Sequence, residues 1–320
     1  MFYSLIKVYA RLVIKIYCRK IIINKPGYLK EKGPLLLAAN HPNSFLDGII
    51  MTTLFEQGVF SLARGDAFKN KKIEKLLMWM FLLPVYRTSE GVENLSHNYT
   101  TFASCQEVFK NKGVVMIFSE GRCINEWHLR PLKKGTARLA IRTWEKGMEL
   151  KVIPVGFNYS GFRNFGKNVH INFGEPILKE EILKLQPEGK QLLQFNHELN
   201  AQLKELVYEI DKDDKQALKQ KFEVPQPTFK KIVLIIPAII GFILHAPLYF
   251  LVKFITAIYF DNDHYDSVIT GFLMIFYPIY LLVLFLITLS YFNWMLAILV
   301  FAVLPFTAWA FVQIKKDYKS

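Results

Sequence analysis

Leu35-Leu36-Leu37-Ala38-Ala39-Asn40-His41-Pro42-Asn43-Ser44-Phe45-Leu46-Asp47-Gly48-Ile49-Ile50-Met51 is the stretch on which the fold turns. Its first apolar run, ending in a polar turn, reads as a short buried strand. The second run reads as a helix with Asp47 in its first turn. A strand feeding straight into a helix is the repeating step of an α/β sheet. It also sets the last strand residues beside the free N–H groups of a helix start, a ready place for a site. A histidine there can accept a proton near pH 7, and an aspartate can orient it and stabilise its charged form. Taken alone, His41 and Asp47 are more simply a turn histidine and a helix-capping aspartate.

Outward from this stretch the pattern repeats. Apolar runs at 34–39, 59–63, 83–86, 113–118, 151–158 and 168–173 predict strands, and 44–57, 70–82, 95–112, 134–147 and 190–211 predict helices. The alternation predicts an α/β domain with a mixed, mostly parallel sheet flanked by helices. Leu192, Phe195, Leu199, Leu203, Leu206 and Ile210 step by three or four and mark one packed helix face. The charged cluster at 211–221 reads as a solvated face or helix end. Pro225-Gln226-Pro227 reads as a stiff linker, since proline cannot continue a helix and restrains the residue before it.

Composition divides the chain in two. Of 320 residues 52% are hydrophobic and 15% aromatic, and the excess lies after residue 230. The apolar stretches 232–252, 268–290 and 294–313 are each long enough for roughly 30 Å of hydrocarbon. Residues 231–320 hold five of the 40 basic and four of the 27 acidic residues, which leaves +12 of the +13 net charge on the first 230. A basic domain joined to a membrane region suits anionic lipid headgroups and the cytoplasmic face of a cell membrane. No nucleic-acid motif accompanies the basicity. Three full spans would put the Lys315-Lys316 tail on the far side. A re-entrant or interfacial first segment, favoured by Pro237, Pro247 and Lys253, returns it to the near side. At the N-terminus, Lys7, Arg11, Lys15 and Arg19 recur every four residues among apolar ones, a pattern shared by a helix in the membrane interface and a helix docked on the domain. The divisions expected are 1–30, an amphipathic membrane-interface helix and an entry strand; 31–222, the main domain; 223–230, the proline-containing linker; 231–314, a membrane region of two to three hydrophobic helices; and 315–320, a tail. Three widely spaced cysteines predict neither a disulfide framework nor a zinc site.

Further blocks follow the histidine in order. Arg64 ends the run Leu62-Ala63, and Arg87 follows Leu83-Pro84-Val85-Tyr86. Glu120-Gly121-Arg122 follows the run Val114–Phe118, and Lys133-Lys134-Gly135 lies beyond it. Such strand-end positions are where α/β folds hold ligands. Arginine forks there suit a phosphate, Glu120 suits a substrate hydroxyl or the bracing of an arginine, and Gly121 a tight turn. There is no G-x-S-x-G elbow for a serine hydrolase and no metal-ligand cluster. Of the other histidines, His128 is the one near these blocks.

In these blocks the chain resembles the glycerophospholipid acyltransferase superfamily, the lysophosphatidic acid and glycerol-3-phosphate acyltransferases, over roughly residues 34–175. The family's histidine and aspartate ahead of a helix match His41 and Asp47. Its arginine after a strand matches Arg87, its Phe-Pro-Glu-Gly-Thr-Arg block matches Phe118–Cys123, and its proline-containing strand matches Val152–Val155. The resemblance implies acyl transfer to a lipid hydroxyl, with His41 as base and Asp47 holding its other nitrogen. It implies Arg64, Arg87, Glu120, Gly121, Arg122, Lys133 and Lys134 as substrate ligands. Acyl-CoA or acyl-carrier protein is then a co-substrate, no cofactor or metal is needed, and the partners are membrane phospholipids and a glycerophosphate or lysolipid acceptor. Backbone N–H groups near Gly121 or Val155 are candidates for the oxyanion. A lysophospholipid transacylase, an aminolipid acyltransferase and a non-catalytic membrane lipid-binding protein are the alternatives. Four departures stand out, one being the arginine of the Phe118–Cys123 block, which comes one position early at Arg122. Five residues rather than four separate His41 from Asp47, with the extra one falling in the Pro42-Asn43 turn. Ser119 replaces the family's proline, and Phe81 stands where the family has glycine.

Overall fold

The computed structural model describes residues 2–86 and 97–315. Seven strands form one sheet: β1 (Cys18–Ile23), β2 (Leu35–Ala39), β3 (Val59–Arg64), β4 (Leu82–Val85), β5 (Val114–Phe118), β6 (Lys151–Tyr159) and β7 (Lys167–Phe173). Their order is β1-β7-β6-β2-β5-β3-β4. Every neighbouring pair is parallel except β6 with β7. The expected mixed, mostly parallel sheet is the one found. β2 lies at its centre, and its five residues are fully buried.

Helices cover both faces. α1 (Phe2–Tyr17), α2 (Ser44–Leu54) and α8 (Lys215–Phe222) pack on one, with α3 (Lys71–Trp79) beside the sheet's β4 edge. α4 (His97–Lys110), α5 (Gly135–Glu145), α6 (Lys179–Leu183) and α7 (Glu188–Leu206) pack on the other. The strand alternation divides the core accordingly. Leu35, Leu37 and Ala39 of β2 join the first layer, and Leu36 and Ala38 the second. The charged 211–221 segment differs from its sequence reading: it contains α8, whose Leu218 and Phe222 are fully buried.

α1 docks through Ala10, Ile14 and Tyr17 and leaves Leu5, Val8 and Leu12 facing outward. Its basic residues serve the protein. Lys7 Nζ donates to the carbonyls of Phe55, Glu56 and Gln57 at 2.6–3.1 Å, and Arg11 Nε to that of Thr53 at 2.9 Å, which caps the C-terminal end of α2.

The chain then forms α9 (Thr228–Tyr259), α10 (Tyr265–Tyr291) and α11 (Trp294–Ile314), three helices long and apolar enough to cross a membrane. α9 begins inside the stretch read as linker, directly after Pro227. It contains Pro237 and Pro247 without interruption. Phe81 has φ +62°, the left-handed region that favours glycine, as its alignment with a family glycine anticipates. Its ring lies 4.4 Å from that of Tyr3 and 4.6 Å from that of Phe60, packing that offsets the backbone strain.

Candidate active site

The parallel pairing of β2 with β5, Ala39 opposite Phe118, brings the turns after both strands to the same sheet edge. There His41 Nδ1 lies 2.9 Å from Asp47 Oδ2. The extra residue in the turn leaves this pair intact. Asp47 sits in the first turn of α2, where the free N–H groups favour a carboxylate. It is fully buried. Its Oδ2 also accepts the Asn43 N–H at 3.0 Å, and its Oδ1 accepts the Tyr159 hydroxyl at 2.6 Å. Burial and the Asp47 charge hold the Tyr159 phenol well above its ordinary range, so it stays a donor. A carboxylate bonded to Nδ1 fixes the tautomer with hydrogen on Nδ1 and a lone pair on Nε2. The imidazole lies flat on Phe118, ring centroids 3.7 Å apart, so its plane is set by packing as well as by Asp47.

Glu120 braces this arrangement. Its Oε2 accepts the His41 backbone N–H at 2.7 Å and its Oε1 the Arg130 N–H at 2.8 Å. It therefore holds Arg130 by its backbone, while the Arg130 guanidinium pairs with Glu126 at 2.7 Å. Burial pushes the Glu120 carboxyl up to about 7, against the pull of those two N–H groups. Asn40 fastens the end of β2 to β6: its Oδ1 accepts the Phe157 N–H at 2.7 Å and its Nδ2 donates to the Phe157 carbonyl at 3.1 Å.

Gly121 makes the expected tight turn, with φ +71° and its N–H donated to the Phe118 carbonyl at 3.0 Å. That N–H is therefore committed, and Val155 lies within β6 between β2 and β7. Ser119 has a use for not being proline. Its N–H donates to Ala39 O at 2.8 Å, extending the β2–β5 ladder, and its buried hydroxyl meets Thr136 Oγ1 at 3.0 Å.

The cations are spread along the same edge. Lys133 lies against Gly121, where an added Cβ would stand 3.0 Å from its Cγ, and Lys134 is the residue directly before α5. Arg122, Lys133 and Lys134 are exposed. Arg64, at the end of β3, pairs with Asp66 at 2.5 Å on the surface. Arg87 lies outside the described residues. His128 pairs with Glu209 at 2.7 Å, both half exposed. Tyr159 escaped the sequence reading, although its place at the end of a predicted strand beside β2 was a usable signal.

A buried carboxylate holding a histidine at the edge of a mostly parallel sheet, with a glutamate bracing the histidine's backbone, is an arrangement suited to taking a proton from a substrate. The acyltransferase family model matches residues 20–158, from β1 to the end of β6. Over that stretch, somewhat under half of the chain, the sequence is similar to the acyltransferase family. Among solved structures the chain is similar to the 1-acyl-sn-glycerophosphate (LPA) acyltransferase PlsC from Thermotoga maritima, at 12% identity and a TM-score of 0.44, covering 70% of this chain and 81% of that one. No curated protein matches the sequence.

Proposed function

We propose that the protein moves a fatty acyl group from acyl-CoA or acyl-carrier protein to a hydroxyl of glycerol 3-phosphate or 1-acyl-glycerol 3-phosphate at a bilayer surface. The observation that carries this reading is the His41 ring, with Nδ1 on a sealed carboxylate and Nε2 without a partner among the described residues. Nε2 takes the acceptor hydroxyl's proton as that oxygen attacks the thioester carbonyl. The carbon–sulfur bond then breaks, and the imidazolium returns the proton to the departing thiolate. Among the described residues Asp47 is bonded to no lysine or arginine, so its charge is there to be met by the imidazolium that forms in the reaction. The thioester is already activated, and no acyl-enzyme is required. General-base help of this kind contributes roughly 10²–10⁴ in rate, and holding both substrates in register contributes more. Arg64, Arg87, Arg122, Lys133 and Lys134 are the proposed ligands of the acceptor's phosphate.

The domain and the tail are placed on one side of the membrane in this reading, the cytoplasmic side of the cell membrane. Both ends of α9 return to the α/β domain. Lys230 reaches Gln313, which donates to Arg19 O at 3.2 Å, while Asp261 pairs with Arg163 at 2.5 Å. The middle of α9 meets α10 at Tyr277 and Tyr280, about half way along that helix. The α11 end also comes back, with Lys315 donating to Phe165 O at 3.0 Å. α9 is therefore read as re-entrant and α10–α11 as the hairpin that crosses, its tip at Tyr291 and Phe292 outward and exposed. Single cysteines at Phe292 and Ser320 should label from opposite sides of sealed vesicles; labelling from the same side refutes this topology.

The function is tested with the purified full-length protein, offering acyl-CoA and acyl-carrier protein against glycerol 3-phosphate, lysophosphatidate, lysolipids and aminolipids. Transfer to a phosphate-bearing acceptor is expected, with acceptor KM raised in Arg87→Ala. Preference for an aminolipid or a second lysolipid redirects the assignment to the alternative acyltransferases. No transfer with any pair marks a lipid-binding protein.

A further inference from the structure

The acidic segment Asp261–Asp266 has no role in the chemistry above, yet it is bound to the turn that carries that chemistry. Asp266, in the first turn of α10, is fully buried, and so is Lys167 of β7, with which it forms an ion pair. The Asp266 carboxylate also accepts the Tyr17 hydroxyl and Asn43 Nδ2, the latter at 2.6 Å. Asn43 is the pivot: its side chain is on Asp266 while its backbone N–H is on Asp47 at 3.0 Å. Asn43 Oδ1 is buried with no partner among the described residues, so the amide's only bond is the one to Asp266.

The neighbouring residues repeat the connection. Ser267 Oγ donates to the Asn43 carbonyl at 2.7 Å and accepts the Leu46 N–H at 3.0 Å. His264 Nδ1 stands 2.6 Å from Ser44 Oγ. Asn125 Nδ2 bridges Pro42 O at 2.8 Å and Asp263 O at 3.1 Å. Phe45 lies beside Gly271, one turn further along α10. Each residue from Pro42 to Leu46 thus touches the start of α10 directly or through Asn125. This is the turn that holds the extra residue between His41 and Asp47, and Ser44 within it has φ +50°, a conformation a serine seldom adopts unaided.

Stability alone does not account for the ion pair. Removing both charges from water costs several kcal/mol per ion, and apolar residues of the same size usually serve a core as well or better. What a buried carboxylate with three fixed donors supplies is a single permitted placement of α10 against α1, β7 and the turn. We propose that Asp266 is a positioning residue for the His41–Asp47 pair, so that the first turn of a membrane helix completes the active site. This rests on the acyl-transfer reading of that pair.

The test uses the full-length protein in nanodiscs. Asp266→Asn is expected to lower kcat about 100-fold, the scale of an ångström of misplacement, with both KM values within about twofold. Ser267→Ala, which leaves the ion pair in place, should lower kcat about fivefold, the worth of one hydrogen bond. The rate at which diethyl pyrocarbonate modifies His41, read on its peptide by mass spectrometry, should change several-fold in Asp266→Asn. That readout needs no turnover, so it tests the placement even if the wild type transfers no acyl group, the outcome that would defeat the acyl-transfer reading by itself. Unchanged kcat and unchanged His41 modification in Asp266→Asn overturn the proposal. So does a Lys167→Met/Asp266→Leu protein that folds and regains the wild-type kcat, because the carboxylate would then only answer the lysine's charge.

Discussion

Asp47 and Asp266 are the same residue type, both fully buried, both accepting three donors, and both bonded to Asn43. They differ in what meets their charge. Asp266 has the Lys167 ammonium beside it, so its charge is met permanently and exerts no pull on a mobile proton. Asp47 has a tyrosine hydroxyl, a backbone N–H and an imidazole. Only the last can become a cation, and in the acyl-transfer reading it does so by taking a proton at Nε2. Burial alone therefore does not mark a catalytic carboxylate. The mark is a charge left to be balanced during the reaction.

The comparison can be broken at Asp47 first. Asp47→Asn keeps the shape of the site but removes the charge and lets the amide donate to Nδ1, which would turn the hydrogen towards the substrate. A fall in kcat of about 10²–10⁴ is expected with the fold retained; a fall of less than about fivefold would deny Asp47 a part in the chemistry. Tyr159→Phe leaves Oδ1 of a buried carboxylate short of its donor, a loss of about 1–3 kcal/mol in stability. Its kcat should fall about tenfold, since two donors still hold Oδ2, and thermal unfolding with steady-state kinetics measures both. The smallest effect concerns Glu120, a third buried carboxylate at the same edge, lifted to about 7 from 4.5. Because its folded value is the higher, the folded protein holds the extra proton between those values. Its contribution to stability is full below the lower value and is lost as pH rises through the higher one. Glu120→Gln has no such titration, so the melting temperature of the wild type minus that of Glu120→Gln should decrease from pH 5 to pH 8. A difference that stays constant over that range removes Glu120 from the account.

The parts of the molecule legible in the sequence are those governed by neighbours along the chain. The run 35–39, the turn and the helix after it were readable because apolar periodicity and turn chemistry are local. The six predicted strands match β2 to β7 to within a residue or two, and His41, Asp47, Glu120 and Gly121 fall together because parallel strands end on one edge. Tyr159 reaches Asp47 across 112 residues and Asp266 reaches Asn43 across 223, so no spacing rule could pair them. Leu218 and Phe222 of α8 were hidden by the charges around them, although two buried residues suffice to anchor a short helix. The basic row of α1 read as a lipid-facing stripe or a docking face. Lys7 and Arg11 lie on carbonyls of α2, a use of positive charge that sequence cannot distinguish from the other.

The most direct test of the central claim is acyl transfer by His41→Ala, measured at saturating donor and acceptor beside the wild type. Loss of at least about a hundredfold in kcat, in a protein that still unfolds cooperatively, is the result predicted for a general base. A folded His41→Ala protein that transfers acyl groups at the wild-type rate would contradict it.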